Sequence, residues 1–270
     1  MTRRSRAKKL LNMTVLIVSC HPDDAELMMS GTALLLKRAG MQVHCINVAN
    51  GCAGSMEHGP AETASIRRKE AMNAAARLGA EFHESLVDDL EVFYSQDLIR
   101  RVTALVRQVK PGIILTQSLE DYMEDHMNTA RVAVTATFLR GVPNYRSVPE
   151  VPAIQDDVML YHATPHVLTD SMRRPIIPEM YVDITDVIDE KEALLACHVS
   201  QKEWLDKTQG MDSYLKTMRE AAEVLGRMSG RYRFAEGWRR HSHVGFSRQD
   251  GNPVAELLKD RCFLGGTAAR

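Results

Sequence analysis

The chain has 270 residues, 44% hydrophobic and 26% charged, enough apolar content for one substantial globular core. Its 34 Lys and Arg against 35 Asp and Glu leave a formal net charge of -1, which offers no global attraction for nucleic acid or an anionic membrane. No apolar run approaches the roughly 20 residues needed to span a bilayer, and the N-terminal region carries no signal-peptide core. The five cysteines show no CxxC spacing, and Cys20 and Cys45, in apolar strand-like runs, read as small buried hydrophobes in a reducing compartment. The expectation is therefore a cytoplasmic protein with a flexible basic tail (residues 1–12), a single domain (13–240) and a C-terminal extension (241–270).

The first half alternates strand and helix. TVLIVSC (14–20) reads as a buried strand, AELMMSGTALLLKRAG (25–40) as one helix closed by glycine, and VHCINVAN (43–50) as a second strand. A glycine-containing loop leads to a helix over 61–78, a short strand over 81–86, a helix over 96–109, a strong strand over 112–118 and a helix over 128–139. Strands over 157–165 and 180–185 follow, then helices over 187–205 and 212–227; beyond Gly230 the chain shows no clear periodicity. Such alternation predicts an α/β fold: a Rossmann-like, open, mostly parallel sheet with helices on both faces.

In that architecture ligands bind beyond the C-terminal ends of the strands. HPDDAE (21–26) sits at the end of the first strand. His21 and Asp24, three residues apart on a bend stiffened by Pro22, can face one point, and imidazole nitrogen and carboxylate oxygen are zinc ligands. His126, in SLEDYMEDH (118–126) after the strand over 112–118, can supply a third. Asp23, left unliganded, would then be free to take a proton from a metal-bound water. Plainer readings compete: Asp24 as a helix cap, His126 as a surface histidine, and Asp121 and Asp125 as either solvated loop carboxylates or acceptors that orient a ligand imidazole.

HPDDAE together with DYMEDH (121–126) resembles the LmbE-like or PIG-L-like family of metal-dependent N-acetylglucosamine deacetylases. The resemblance extends to NGCAGS (50–55), RRKEAMNAAARLGA (67–80), ACHVSQ (196–201) and FAEGW (234–238). It implies Zn2+ or another divalent metal held by His21, Asp24 and His126, with Asp23 as general base and a small N-acylated substrate, often an amino sugar. It also implies a Rossmann-like sheet that binds no nucleotide, and a tendency to form homo-oligomers. Arg67, Asn50, Asp125 and His198 are candidate substrate or supporting residues. For Arg67 the structural alternative is an ion pair with Glu70, for Asn50 loop shaping, and for His198 satisfaction of buried backbone.

One position departs from the family pattern. The segment commonly written HPDH reads MEDH here, so Met123 stands where a histidine is expected to stabilise the oxyanion, and a thioether cannot donate a hydrogen bond. His198, His241, His243 and Arg67 are the candidate replacements. The expected reaction is hydrolysis of an N-acetyl or other N-acyl group by metal-activated water. The alternatives are hydrolysis of another amide or acyl compound, and a non-catalytic carbohydrate-binding role.

Overall fold

The structure is a computed structural model that describes Leu10, residues 13–202 and residues 214–265. The expected basic tail lies outside these residues apart from Leu10, as do parts of the two helices expected over 187–205 and 212–227.

Strands β1 (Thr14–Ser19), β2 (Gln42–Asn47), β3 (Glu81–His83), β4 (Ile113–Thr116) and β5 (Met159–Ala163) are mutually parallel. β6 (Met180–Asp183), β7 (Ala235–Arg240) and β8 (Cys262–Leu264) extend the sheet in antiparallel fashion, giving the order β3-β2-β1-β4-β5-β7-β6-β8. β1 shows why the sheet is covered on both faces. Val15 and Ile17 enter one apolar cluster and Leu16 and Val18 the other, so alternate side chains feed two cores. The fold is thus Rossmann-like and α/β. Among the described residues no helix is long and apolar enough to cross a membrane.

The helix expected over 25–40 is interrupted. It divides at Met29 (φ -131°) into α1 (Asp24–Met28) and α2 (Ser30–Arg38). The cause is tertiary. The Glu236 carboxylate, from β7, accepts the backbone N–H groups of Gly31 (2.8 Å) and Thr32 (2.7 Å), and its Oε1 also pairs with buried Lys191. A side chain 204 residues from Thr32 and 205 from Gly31 thereby caps a new helix start. A Cβ on Gly31 would lie 2.7 Å from Ile184 and 2.8 Å from Glu236 Oε1, so only glycine admits this cap.

Further helices among the described residues include α3 (Pro60–Leu78), α4 (Gln96–Val109), α5 (Glu124–Leu139), α6 (Ile188–Leu195), α7 (Tyr214–Ser229) and α8 (Pro253–Leu258). α5 begins four residues earlier than expected and so includes His126. β7 went unread because AEGWRR lacks a period-two apolar pattern; its strand character comes from pairing with both β5 and β6.

At the end of β5, His162 Nδ1 lies 2.7 Å from the Gln117 carbonyl oxygen and Nε2 lies 3.1 Å from His241 Nδ1. Burial pushes its pKa down to about 4. Because the unfolded chain takes up a proton near pH 6.5 while folded His162 resists it, the unfolded state binds more protons between the two values. His162 therefore contributes stability above pH 6.5 that falls away toward pH 4. The urea midpoint of His162→Asn relative to that of the unaltered protein is therefore expected to rise as pH falls from 7.5 to 4.5.

Candidate metal centre

β1 and β4 are neighbours in the sheet, so the loops leaving their C-terminal ends meet. One carries His21, Asp23 and Asp24; the other leads into α5 with Asp121, Asp125 and His126. Asp24 sits between the two imidazoles. His21 Nδ1 is 3.4 Å from Asp24 Oδ2, and His126 Nε2 is 3.4 Å from Asp24 Oδ1. Each ring offers its other nitrogen to a different carboxylate: His21 Nε2 is 3.3 Å from Asp125 Oδ2, and His126 Nδ1 is 3.2 Å from Asp121 Oδ1. Asp24 is further held by the His21 backbone N–H (2.7 Å) and by Gln117 Nε2 (3.1 Å), both to Oδ2.

This geometry fits a divalent cation. Donors around a tetrahedral zinc with bonds near 2.0–2.2 Å stand roughly 3.3 Å apart, close to the two 3.4 Å separations. The outer carboxylates fix the ring orientations in the manner of carboxylate–histidine–metal triads. The electrostatics agree. Burial opposes protonation of His126, but Asp24 and Asp121 outweigh it and hold its pKa above the ordinary imidazole range. Burial likewise opposes ionisation of Asp24, yet His126 and His21 keep its carboxyl far below the usual range. The field that retains protons on both rings is the field a metal ion would meet. Cys20 also lies near His21 and Asp125, but burial pushes its thiol up to about 11, which disfavours the thiolate a metal would need.

Asp23 occupies a left-handed backbone conformation (φ 107°) at the start of α1. Its Oδ2 accepts a 2.6 Å hydrogen bond from the Tyr214 phenol and lies 3.4 Å from Arg67 Nη2. Burial raises the Asp23 pKa, against the opposing pull of Arg67. With Oδ2 engaged by two partners, Oδ1 is the oxygen left to accept a proton.

Arg67 does not pair with Glu70. It donates to the Pro22 and Gly51 carbonyl oxygens, and its guanidinium fills the space a Cβ at Gly51 would need, 2.6 Å from the nearest Arg67 atom. Glu70 instead accepts the backbone N–H and the hydroxyl of Ser200, at 2.9 and 2.7 Å. His198 Nε2 lies 3.3 Å from Glu26 Oε2. The HVSQ segment is thus latched to two buried carboxylates, which brings Gln201 to the cavity wall. Asn50 bonds to Asp88 and to the Cys52 N–H and shapes its loop without bordering the cavity.

His21, Asp23, Asp24, Arg67 and His126 border one cavity of about 490 Å³. Tyr122, His166, Gln201 and Tyr214 also line it and escaped the sequence reading. Tyr122 stands next to the MEDH segment and Gln201 ends ACHVSQ, so both were legible in principle; His166 and Tyr214 carry no local signal.

Residues 16–137 match the PIG-L family model, described as GlcNAc-PI de-N-acetylase. The chain is 28% identical over 231 residues to a diacetylchitobiose deacetylase of Thermococcus kodakarensis, covering 83% of this chain and 82% of that protein. It is 26% identical over 208 residues to a 4-oxalmesaconate hydratase of Pseudomonas putida, with coverages of 74% and 78%. The structure of the N,N'-diacetylchitobiose deacetylase from Pyrococcus horikoshii shares the fold, with a TM-score of 0.71 at 23% identity over 93% of this chain and 97% of that one.

Proposed function

We propose that this chain, a member of the PIG-L/LmbE-like deacetylase superfamily, is a metal-dependent hydrolase that removes an N-acyl group, most simply N-acetyl, from an amino-sugar-type substrate. The observation that carries the reading is Asp24 set between two imidazoles, each backed by its own carboxylate, with Asp23 beside them on the same cavity.

His21, Asp24 and His126 would hold the metal. When bound, the ion activates a water and polarises the amide carbonyl. Asp23 accepts a proton from that water at Oδ1 while Tyr214 and Arg67 hold Oδ2. Oxygen adds to the acyl carbon, the carbon–nitrogen bond breaks, and Asp23 returns the proton to the departing nitrogen. The products are a carboxylate and a free amine.

The hydratase relative suggests a second reading, water addition to an unsaturated polycarboxylate, and Met123 in place of the expected histidine is the departure that favours it. The charge of the cavity weighs against it. Asp23, Asp24 and Asp89 line the cavity, and among the described residues Arg67, already committed to two carbonyls and Asp23, is its one Lys or Arg. Beyond the carboxylate a metal could take, that wall offers no free Lys or Arg among the described residues to pair the others of a polyanion, whereas a neutral amide needs none.

Metal analysis joined to an acetate-release screen over N-acyl sugars, N-acyl amino acids and small lactams tests the proposal; absence of both metal and acetate would overturn it. Zinc at about 100 times its Kd is expected to stabilise the fold by about 2.7 kcal/mol. A chelator should abolish that gain, and His126→Ala should not show it. Thermal unfolding with and without zinc reads both outcomes.

A further inference from the structure

Met123 borders the cavity where a hydrogen-bond donor to the attacked carbonyl is expected, and its thioether has no proton to give. The four replacements considered from sequence are elsewhere or engaged. His198 sits against Glu26, and Arg67 is held by backbone carbonyls and Asp23. His241 pairs with His162, and neither His241 nor His243 borders the cavity.

A histidine from the loop after the adjacent strand borders the same cavity as Met123. β5 runs parallel to β4, and three residues beyond its last residue, Ala163, the chain places His166 on the cavity wall. The Tyr122 ring meets both the metal-side His126 and His166 edge-on, with centroids 5.6 and 5.5 Å apart. One aromatic ring thus links His166 to the metal-side histidine on the same cavity wall. Gln201, by contrast, lies beside Gly54 and Arg67, where a Cβ on Gly54 would be 2.9 Å from its Oε1.

The Nδ1 atom of His166 is buried without a hydrogen-bond partner among the described residues. Leaving a proton there would bury an unpaired N–H, so the neutral ring favours the tautomer protonated at Nε2. Nε2 is then the nitrogen available to the cavity, and it is a donor.

The geometry points to His166 as the hydrogen-bond donor to the oxygen of the acyl group under attack, supplying from the loop after β5 the function that Met123 cannot supply from the β4 loop. The inference rests on the N-acyl hydrolase reading. No proton is transferred in this role: the Nε2–H bond stays intact while the carbonyl oxygen gains negative charge, so the interaction strengthens as the barrier is climbed.

The test uses the full metal-loaded chain, the substrate that performs best in the acetate-release screen, and methylphosphonate as a tetrahedral probe. His166→Phe keeps a flat ring without the donor, and is expected to lower kcat about 10²–10³-fold with KM within about threefold and metal content unchanged. His166→Gln, which restores an N–H, should recover at least part of the loss. Methylphosphonate binding, read by calorimetry, should weaken in the Phe variant and recover in the Gln variant. If His166→Phe retains wild-type kcat, or if Tyr122→Phe shows the loss instead, the assignment is overturned. If the unaltered protein holds metal but releases no carboxylate from any amide, the hydrolase reading has failed and this inference falls with it; an active parent with an active His166→Phe variant sinks the His166 assignment alone.

Discussion

Asp23→Asn is expected to lower kcat by about 10²–10⁴-fold, the usual contribution of a positioned general base, while leaving metal content unchanged. Asparagine is the informative replacement because the backbone at this position is left-handed, a conformation asparagine tolerates well and alanine does not. Its amide oxygen can still accept from Tyr214, so the NH2 group is placed where Oδ1 stood and cannot take a proton. The loss should therefore appear in turnover, with little change in fold or KM. Unchanged turnover with a full metal complement would remove Asp23 from the mechanism and leave the base to be sought elsewhere on the cavity wall.

The largest stability effect is expected at a residue that does not line the cavity. Glu236→Ala should destabilise the fold by about 3–5 kcal/mol, because it strands the buried ammonium of Lys191 and also uncaps α2. Lys191 and Glu236 are only 1% and 2% exposed, so water cannot replace the lost partner. Lys191→Met should cost less, since Glu236 retains the Gly31 and Thr32 N–H donors. Denaturant unfolding of both variants checks the order. Against a total stability of about 5–15 kcal/mol, the first variant should show a visibly lowered midpoint. Equal losses in the two would place the energy in the ion pair and not in the helix cap.

Several motifs that stand out along the chain acquire different roles in three dimensions. FAEGW resembles a family element, and its glutamate proves to hold a helix start. The RxxE helix suggests an internal ion pair, yet Arg67 turns to the HPDD loop and Glu70 to Ser200. HVSQ carries one histidine that meets Glu26 and one glutamine that reaches the cavity. Asp121 and Asp125 were equivalent as loop carboxylates; in the fold each backs a different imidazole.

The sequence by itself determined what depends on near neighbours. Apolar runs with turn residues between them set the parallel strands and their helices. The three-residue spacing on a proline-stiffened bend brought His21 and Asp24 together, and the placement of MEDH after a buried strand brought His126 to the same sheet end. Only the tertiary structure decided which carboxylate serves which ring, that Tyr214 meets Asp23 across 191 residues, and that His166 stands on the wall Met123 leaves without a donor. It also decided that Glu236 breaks one expected helix into two. The division has a physical cause: dihedral preference and hydrophobic periodicity act within a few residues and leave a local trace. A hydrogen bond between remote side chains depends on where the packed sheet sets their backbones, and neither segment alone records it.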